Sequence, residues 1–242
     1  MYEKTKAIFL NSVKYSDSSS IAHLYTENSG RISVLIRHSK SRKSVSKRSI
    51  LQPLFLLEIQ LSRKQNREIQ YAGEISNNPV FNEIPFKIAK STIAIFIAEV
   101  LSKVLKEEEP NPPMFSFLFN SIQLLDHLEQ GTGSFHLVFL YELSRYLGFY
   151  PNDNFSEENC YFNLVKGRYS SVADVPEISL DEQLSKDLNN VRTKGFKSIS
   201  ELELSRVQKA GLLDALLKFF HYHLPEMGKI KSVEVLQEIF EV

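Results

Sequence analysis

Residues 31–48 read RISVLIRHSKSRKSVSKR, a strand pattern that continues directly into a basic segment. Ile32, Val34 and Ile36 recur at every second position, which is the period of a β-strand with one buried face. The same stretch contains seven Lys or Arg residues and no Asp or Glu. We therefore expect a strand that ends in a strongly cationic loop.

Alternating apolar patterns continue on both sides of this strand. Before it, apolar residues alternate around Ile8 and Leu10, and SSIAHLYTENSG then supplies a turn at Asn28-Ser29-Gly30. After it, LFLLEIQLS and EIQYAGEIS repeat the same period. Five short strands joined by turns, with no helix between them, predict a small closed barrel over residues 1–78.

Beyond residue 79 the apolar residues recur at helical spacing instead. An irregular insert, residues 150–178, interrupts this pattern and contains a hairpin signal at Lys166-Gly167. The sequence thus predicts an α+β protein with a helical domain over residues 79–242. The predicted helices cover residues 86–105, 114–129, 134–147, 180–189, 200–224 and 232–240.

Charge is distributed unevenly along a chain that is neutral as a whole, with 29 Lys or Arg and 29 Asp or Glu. Residues 1–72 carry 13 basic and 5 acidic side chains, so the remainder carries 16 and 24. A basic end on a neutral chain indicates a polyanionic partner such as nucleic acid. The absence of a secretion signal and of a long apolar stretch predicts a cytoplasmic protein with no membrane contact.

The cations of the barrel half are the predicted DNA contacts. Oligonucleotide-binding (OB) barrels hold single strands in a basic groove where bases stack on aromatic rings. Phe9, Tyr15, Tyr25 and Tyr71 are candidates for stacking, although aromatic residues at strand spacing more often belong to a core. The alternative for the basic segment is a solvated loop that binds nothing. The predicted DNA-binding residues are Arg31, Arg37, Lys40, Arg42, Lys43, Lys47, Arg48, Arg63, Lys64 and Arg67.

We find no set of residues that predicts catalysis or a cofactor. His221 and His223 are two positions apart and so do not share a helix face, and Gly131-Thr132-Gly133 lacks the spacing and the lysine of a phosphate loop. One cysteine, Cys160, excludes a disulfide framework and a zinc site built from several thiolates. The sequence predicts a protein that is not an enzyme and needs no metal.

Several segments together resemble the RecO family of bacterial recombination mediators. They are KTKAIFLNSVKYSDSSSIAHLYTENSGRISVLIRHSKSRKS, LQPLFLLEIQL, AEVLSKVLKEEEPNPPMFSFLFNSIQLLD, YELSRYLGFYPN and KIKSVEVLQEIF. They occur in the family's order and span nearly the whole chain. The resemblance implies an OB-fold followed by a helical domain, and a nucleoid-associated protein of the RecF pathway. It further implies binding to single- and double-stranded DNA, strand annealing, and an indirect role in loading RecA.

The resemblance also implies two protein partners, RecR and the C-terminal tail of the single-strand-binding protein. The tail ends in Phe and is acidic, so its pocket would combine apolar side chains of the helical half with a cation. Arg145, Lys209 and Lys218 are the candidates for that cation. One departure concerns zinc: many family members carry four cysteines in the insert, whereas this chain keeps Cys160 alone. The insert is therefore predicted to be a degenerate zinc finger without metal.

Two other functions remain open on the sequence. The first is a pure protein-interaction module whose basic loop docks an acidic protein surface. The second is a hydrolase in the helical half, and the absence of a visible base–nucleophile set argues against it. DNA affinity with a steep dependence on salt would separate the leading hypothesis from the first of these. Turnover assays on nucleic acid substrates would reveal the second.

Overall fold

The computed structural model describes residues 3–37, 49–62 and 67–241. Its elements follow the predicted order of strands first and helices afterwards. The strands are β1 (Glu3–Ser16), β2 (Ser19–Thr26), β3 (Gly30–Arg37), β4 (Leu56–Ser62), β5 (Ile69–Asn77), β6 (Tyr161–Asn163) and β7 (Arg168–Ser170). The α-helices are α1 (Ile88–Val104), α2 (Pro112–His127), α3 (Phe135–Tyr146), α4 (Glu182–Lys194), α5 (Arg206–His223) and α6 (Val233–Glu241).

The first five strands close into a barrel in the order β1-β2-β3-β5-β4, with β4 pairing back onto β1. All neighbouring pairs are antiparallel except β3 and β5, which run parallel. Strand β1 is 14 residues long and pairs with both β2 and β4, so one continuous strand bends around two sides of the barrel. The predicted five-stranded OB-like barrel is confirmed.

Alternate side chains of each strand fill the barrel. Val34 and Ile36 of β3 are buried, as their period predicts, and so are Leu57, Ile59 and Leu61 of β4. Burying one such side chain contributes about 1.5–3 kcal/mol relative to leaving it in water. The side chains on the other face of each strand point away from this core.

The chain folds as two compact units, and the first one is larger than the barrel. It comprises the residues up to His127 together with Ile230–Ser232, so α1 and α2 pack in the same unit as the strands. Asn11 of β1 donates a hydrogen bond of 2.9 Å to Ser102 of α1. The end of β5 at Asn77 still marks the change from strands to helices near the predicted position, residue 78.

The second unit comprises Leu128–Lys229 and the residues from Val233 onwards. Within it, β6 and β7 form a hairpin around Gly167, at the predicted place. Asn154 ties the insert to this hairpin, because its side chain exchanges two hydrogen bonds with the backbone of Tyr169. The rings of Phe155 and Phe162 pack against Tyr169 at 5.2 and 4.9 Å between centroids. Aromatic packing thus holds an insert that has only one cysteine.

Candidate nucleic-acid interface

One row of outward-facing side chains crosses four strands of the barrel. Val13 of β1 lies opposite Ile21 of β2, and Ile21 lies opposite Leu35 of β3. Leu35 in turn lies opposite Tyr71 of β5. Directly paired residues point to the same face of a sheet, so these four side chains form a continuous apolar strip. We call it the outer strip.

The outer strip presents aromatic and aliphatic surface to solvent. Tyr71 is 40% exposed and Val13 is 50% exposed, and Tyr15, two residues after Val13, is 62% exposed. Two other stacking candidates from the sequence are wrong, because Phe9 and Tyr25 are buried in the core. The structure therefore leaves Tyr15 and Tyr71 as the rings of this group on which bases can stack.

Two of the predicted cations lie at the same end of the barrel as the outer strip. Arg37 is exposed at the end of β3, opposite Ser19. Arg67 is also exposed, and its guanidinium lies 5.5 Å from the centroid of the Tyr71 ring. A guanidinium beside an exposed ring offers a phosphate contact next to a stacking surface.

Seven of the ten predicted DNA-binding residues lie outside the described residues: Lys40, Arg42, Lys43, Lys47, Arg48, Arg63 and Lys64. The points where these segments leave the barrel are nevertheless described. One begins after Arg37 and the other after Ser62. Ser62 pairs with Tyr71, which pairs with Leu35, so both segments start at the end of the barrel that carries the outer strip.

Arg31 lies at the opposite end of β3, about 20 Å from Arg37 at the rise of a strand. One of its guanidinium nitrogens donates hydrogen bonds of 2.7 and 2.8 Å to the carbonyl oxygens of Ser102 and Leu105. Its backbone N–H donates a bond of 2.9 Å to Glu107. Helix ends leave such carbonyls without partners. Arg31 therefore caps α1, and the structure does not place it with Arg37 and Arg67.

The aliphatic members of the outer strip, and a polar pair beside it, were not predicted as part of a site. His23 and Ser33 face each other on β2 and β3, with 3.1 Å between Nδ1 and the hydroxyl oxygen. Burial, and then the positive charge of Arg31, lower the pKa of His23. The sequence signal that could have revealed the outer strip was Leu35, an apolar residue at a position of β3 that points away from the core.

A small cleft in the second unit combines cations with apolar side chains. Its lining includes Arg206, Lys209, Leu213, Leu236 and Phe240. Of the three cations that the sequence offered for binding a carboxylate, Lys209 alone is among these lining residues. Arg145 stacks on the ring of Tyr150 at 4.0 Å, and Lys218 forms an ion pair of 2.8 Å with Asp214.

The described part of the chain offers neither a metal site nor a membrane-spanning helix. No group of three or more His, Cys, Asp or Glu residues there is arranged to hold a metal ion. None of the helices found there combines the length and the apolar character needed to cross a membrane.

Comparison with known proteins gives matches over nearly the whole chain. Residues 1–76 match the family described as Recombination protein O N terminal, and residues 85–234 match Recombination protein O C terminal. The chain is 32% identical to the DNA repair protein RecO of Phocaeicola vulgatus, covering 99% of this chain and 100% of the relative. It is 34% identical to the proteins of that name from Bacteroides fragilis (100% of both chains) and Flavobacterium psychrophilum (99% and 100%).

Proposed function

The chain belongs to the RecO family, and from this premise we propose that it binds single- and double-stranded DNA through its barrel. In this role it anneals complementary strands and helps to load RecA onto DNA that is covered by single-strand-binding protein. Family membership also confirms the prediction that the protein is not an enzyme. The observation that carries the proposal is the outer strip, with Arg37 and Arg67 at the same end of the barrel.

The outer strip supports binding of bases, and the cations support binding of phosphates. A ring such as Tyr71 stacks on any base, which suits a protein that must accept many sequences. Phosphate contacts from Arg and Lys are likewise independent of sequence. Together they favour a strand held along its backbone with part of its base surface against the barrel.

Annealing follows from charge rather than from bond chemistry. Two strands repel each other because each carries one negative charge per nucleotide, and bound cations remove part of that repulsion. Without Arg31, which caps α1, residues 37–48 still contain six basic residues and no acid. If about five cations contact phosphate, log affinity falls against log salt with a slope of roughly −3.5 to −4.5.

The test is a charge reversal of Arg42, Lys43, Lys47 and Arg48 to Glu, with DNA binding measured at several salt concentrations. We expect binding of single- and double-stranded DNA to be lost while the circular dichroism spectrum and the unfolding temperature are kept. The matched control exchanges Arg for Lys and Lys for Arg at the same four positions, which preserves the charge. Unchanged DNA binding by the reversed variant would reject the proposal and favour a module that docks an acidic protein.

We propose in addition that the cleft of the second unit binds the acidic, Phe-ended tail of the single-strand-binding protein. Lys209 supports this assignment, because an ammonium beside an apolar lining can hold a terminal carboxylate while the ring of the tail packs on that lining. Binding of a labelled acidic peptide that ends in Phe tests it. We expect Lys209→Glu to abolish binding and Lys218→Glu to leave it unchanged; equal effects would refute the assignment. Pairing with RecR rests on family membership alone.

A further inference from the structure

A row of polar side chains runs beside the outer strip on the same face of the barrel. Asn11 of β1 lies opposite His23 of β2, and His23 lies opposite Ser33 of β3. His23 is two residues from Ile21, and Ser33 is two residues from Leu35, so both rows point to the same side of the sheet. At the rise of a strand, the two rows are about 7 Å apart. We call Asn11, His23 and Ser33 the polar row.

Helix α1 borders the far side of the polar row. The side-chain amide of Asn11 donates a hydrogen bond of 2.9 Å to Ser102 of α1. Arg31, two residues before Ser33, donates to the carbonyl oxygens of Ser102 and Leu105 at the end of the same helix. The polar row therefore lies between the outer strip, which is open to solvent, and a helix end. A ligand on the strip meets the polar row with the edge that faces α1.

A hydrogen bond within the polar row fixes the imidazole ring of His23. Its Nδ1 atom lies 3.1 Å from the hydroxyl oxygen of Ser33. The other ring nitrogen, Nε2, bonds to none of the described residues, and it is not among the buried atoms that lack a partner. Nε2 therefore reaches solvent. The side-chain oxygen of Asn11 differs, because it is buried and does not meet a ligand.

The charge of the His23 ring decides which part of a nucleotide it suits. Burial, and then the positive charge of Arg31, lower the pKa of His23 from its usual value of 6.5. At neutral pH the ring thus carries no charge that would attract a phosphate. A neutral imidazole has one donor and one acceptor nitrogen, and the Ser33 hydroxyl can donate to Nδ1 or accept from it. Nε2 is a donor in the first case and an acceptor in the second.

We propose that Nε2 of His23 binds the edge of an unpaired base that packs on the outer strip. The inference rests on the proposed function and assigns a base-edge contact to it. A base whose face lies on Ile21 or Leu35 brings its edge to the polar row, about 7 Å away. Every Watson–Crick edge carries both donors and acceptors. A ring nitrogen that takes either role therefore accepts any base, which matches phosphate contacts that are independent of sequence.

Two other occupants fit these groups less well. A phosphate gains little from a neutral ring, and the guanidinium of Arg31 already donates to α1. An apolar side chain of a protein partner would cover the outer strip, but it would also take Nε2 of His23 out of water without a hydrogen bond, which is unfavourable. The arrangement favours a ligand that has a flat apolar face and a polar edge, as an unpaired base has.

The experiment compares three DNAs of equal length: a normal single strand, a single strand in which all sugars lack bases, and a duplex. Dissociation constants are measured at several salt concentrations for the wild type and His23→Leu. We expect the variant to bind the normal single strand about 3- to 10-fold more weakly. Binding of the abasic strand and of the duplex should not change, because neither offers a free base edge. The slope of log affinity against log salt should also stay the same, since a neutral ring releases no counterions.

Further variants separate a base contact from a change in the fold. His23→Gln should keep most of the affinity, because its amide also donates and accepts. Ser33 is a positioning residue: Ser33→Ala should weaken binding of the normal strand, and Ser33→Thr, which keeps the hydroxyl, should not. The matched control is His221→Leu, which removes an exposed histidine of the second unit. Urea unfolding of each variant measures whether its stability is kept.

The results that contradict the base-edge contact differ from those that contradict the proposed function. Equal losses of His23→Leu for all three DNAs, or no loss for any, would overturn the contact while leaving DNA binding through the barrel intact. A smaller salt slope for this variant would also overturn it, because the ring would then contact phosphate. If the wild type binds none of the three DNAs in a salt-dependent way, the proposed function itself fails.

Discussion

Arg67 lies against the ring of Tyr71, with 5.5 Å between the guanidinium carbon and the ring centroid. Tyr71 in turn lies opposite Leu35, at the end of the barrel from which the basic segment after Arg37 departs. An exposed aromatic ring and an exposed guanidinium are therefore adjacent at this end of the barrel. This relationship could not be read from the sequence, in which Leu35 and Tyr71 are far apart.

Replacing Tyr71 by Ala should weaken binding of single-stranded DNA. Loss of one base–aromatic stack costs about 1–3 kcal/mol, or roughly 5- to 150-fold in the dissociation constant. Tyr71→Phe should keep most of the affinity, because stacking needs the ring and not the hydroxyl. Fluorescence anisotropy with a labelled oligonucleotide measures both. Tyr222→Ala in the second unit is the control, and an equal loss there would remove the basis for this assignment.

Replacing Arg37 or Arg67 by Gln should make DNA binding less sensitive to salt. Each phosphate contact that is lost reduces the slope of log affinity against log salt by about 0.7 for a single strand. Lys186→Gln is the control, since it removes an exposed cation of the second unit. If both barrel variants keep the wild-type slope, neither arginine contacts phosphate.

Replacing Arg31 by Gln should reduce stability rather than DNA affinity. The guanidinium donates to two carbonyl oxygens at the end of α1, and hydrogen bonds of charged groups contribute about 1.5–3 kcal/mol each. We expect a loss of about 2 kcal/mol or more in the free energy of unfolding by urea, and none for Arg37→Gln. If Arg31→Gln is as stable as the wild type but binds DNA more weakly, Arg31 contacts DNA rather than only capping α1.

Replacing Gly30 by Ala should destabilise the first unit more than Gly148→Ala destabilises the second. Both glycines have positive φ, 60° and 88°. A Cβ at Gly30 would also meet the carbonyl oxygens of Glu107 and Glu109, whereas one at Gly148 meets nothing within 4 Å. In both variants, an alanine at positive φ costs about 1 kcal/mol or more of strain. Only the alanine at position 30 adds a steric clash to that strain. Equal changes in urea midpoint would contradict this packing.

Stability should fall as the pH decreases from about 6.5 to about 3 because of His136. Burial, and then the positive charge of Lys209, lower the pKa of this ring to about 3. The unfolded chain, with a pKa near 6.5, then binds more protons than the folded one throughout this interval. Stability is therefore fully present above the unfolded value and is lost on acidification. His136→Leu should flatten the curve of unfolding free energy against pH in that window; an unaltered curve would show that other groups are responsible.

Much of the fold was predictable because strand and helix periods are local properties of the sequence. The alternation of Val34 and Ile36 predicted a strand with one buried face, and both side chains are buried. Helix α3 ends at Tyr146, one residue before the predicted end at residue 147. The hairpin at Lys166-Gly167 was visible for the same reason, since glycine permits the positive φ that this turn adopts.

The site was predictable only in part, because charge and aromaticity say nothing about burial or partners. Tyr15, Tyr25 and Tyr71 look alike in the sequence, yet Tyr25 is buried while the other two are exposed. Arg31 and Arg37 share a strand, but Arg31 bonds to the end of α1. That helix end is about 70 residues away in the chain, so no local pattern reveals the contact.

The amino-acid sequence by itself determined the order of the strands and helices and the placement of positive charge in the barrel half. Side-chain period and residue type decide both properties, and neither requires a distant contact. Only the tertiary structure decided which rings face solvent, which arginine caps a helix, and which polar side chains lie beside the outer strip. Those outcomes depend on closing the barrel and packing α1 against it, and these steps bring together residues that are remote in the chain.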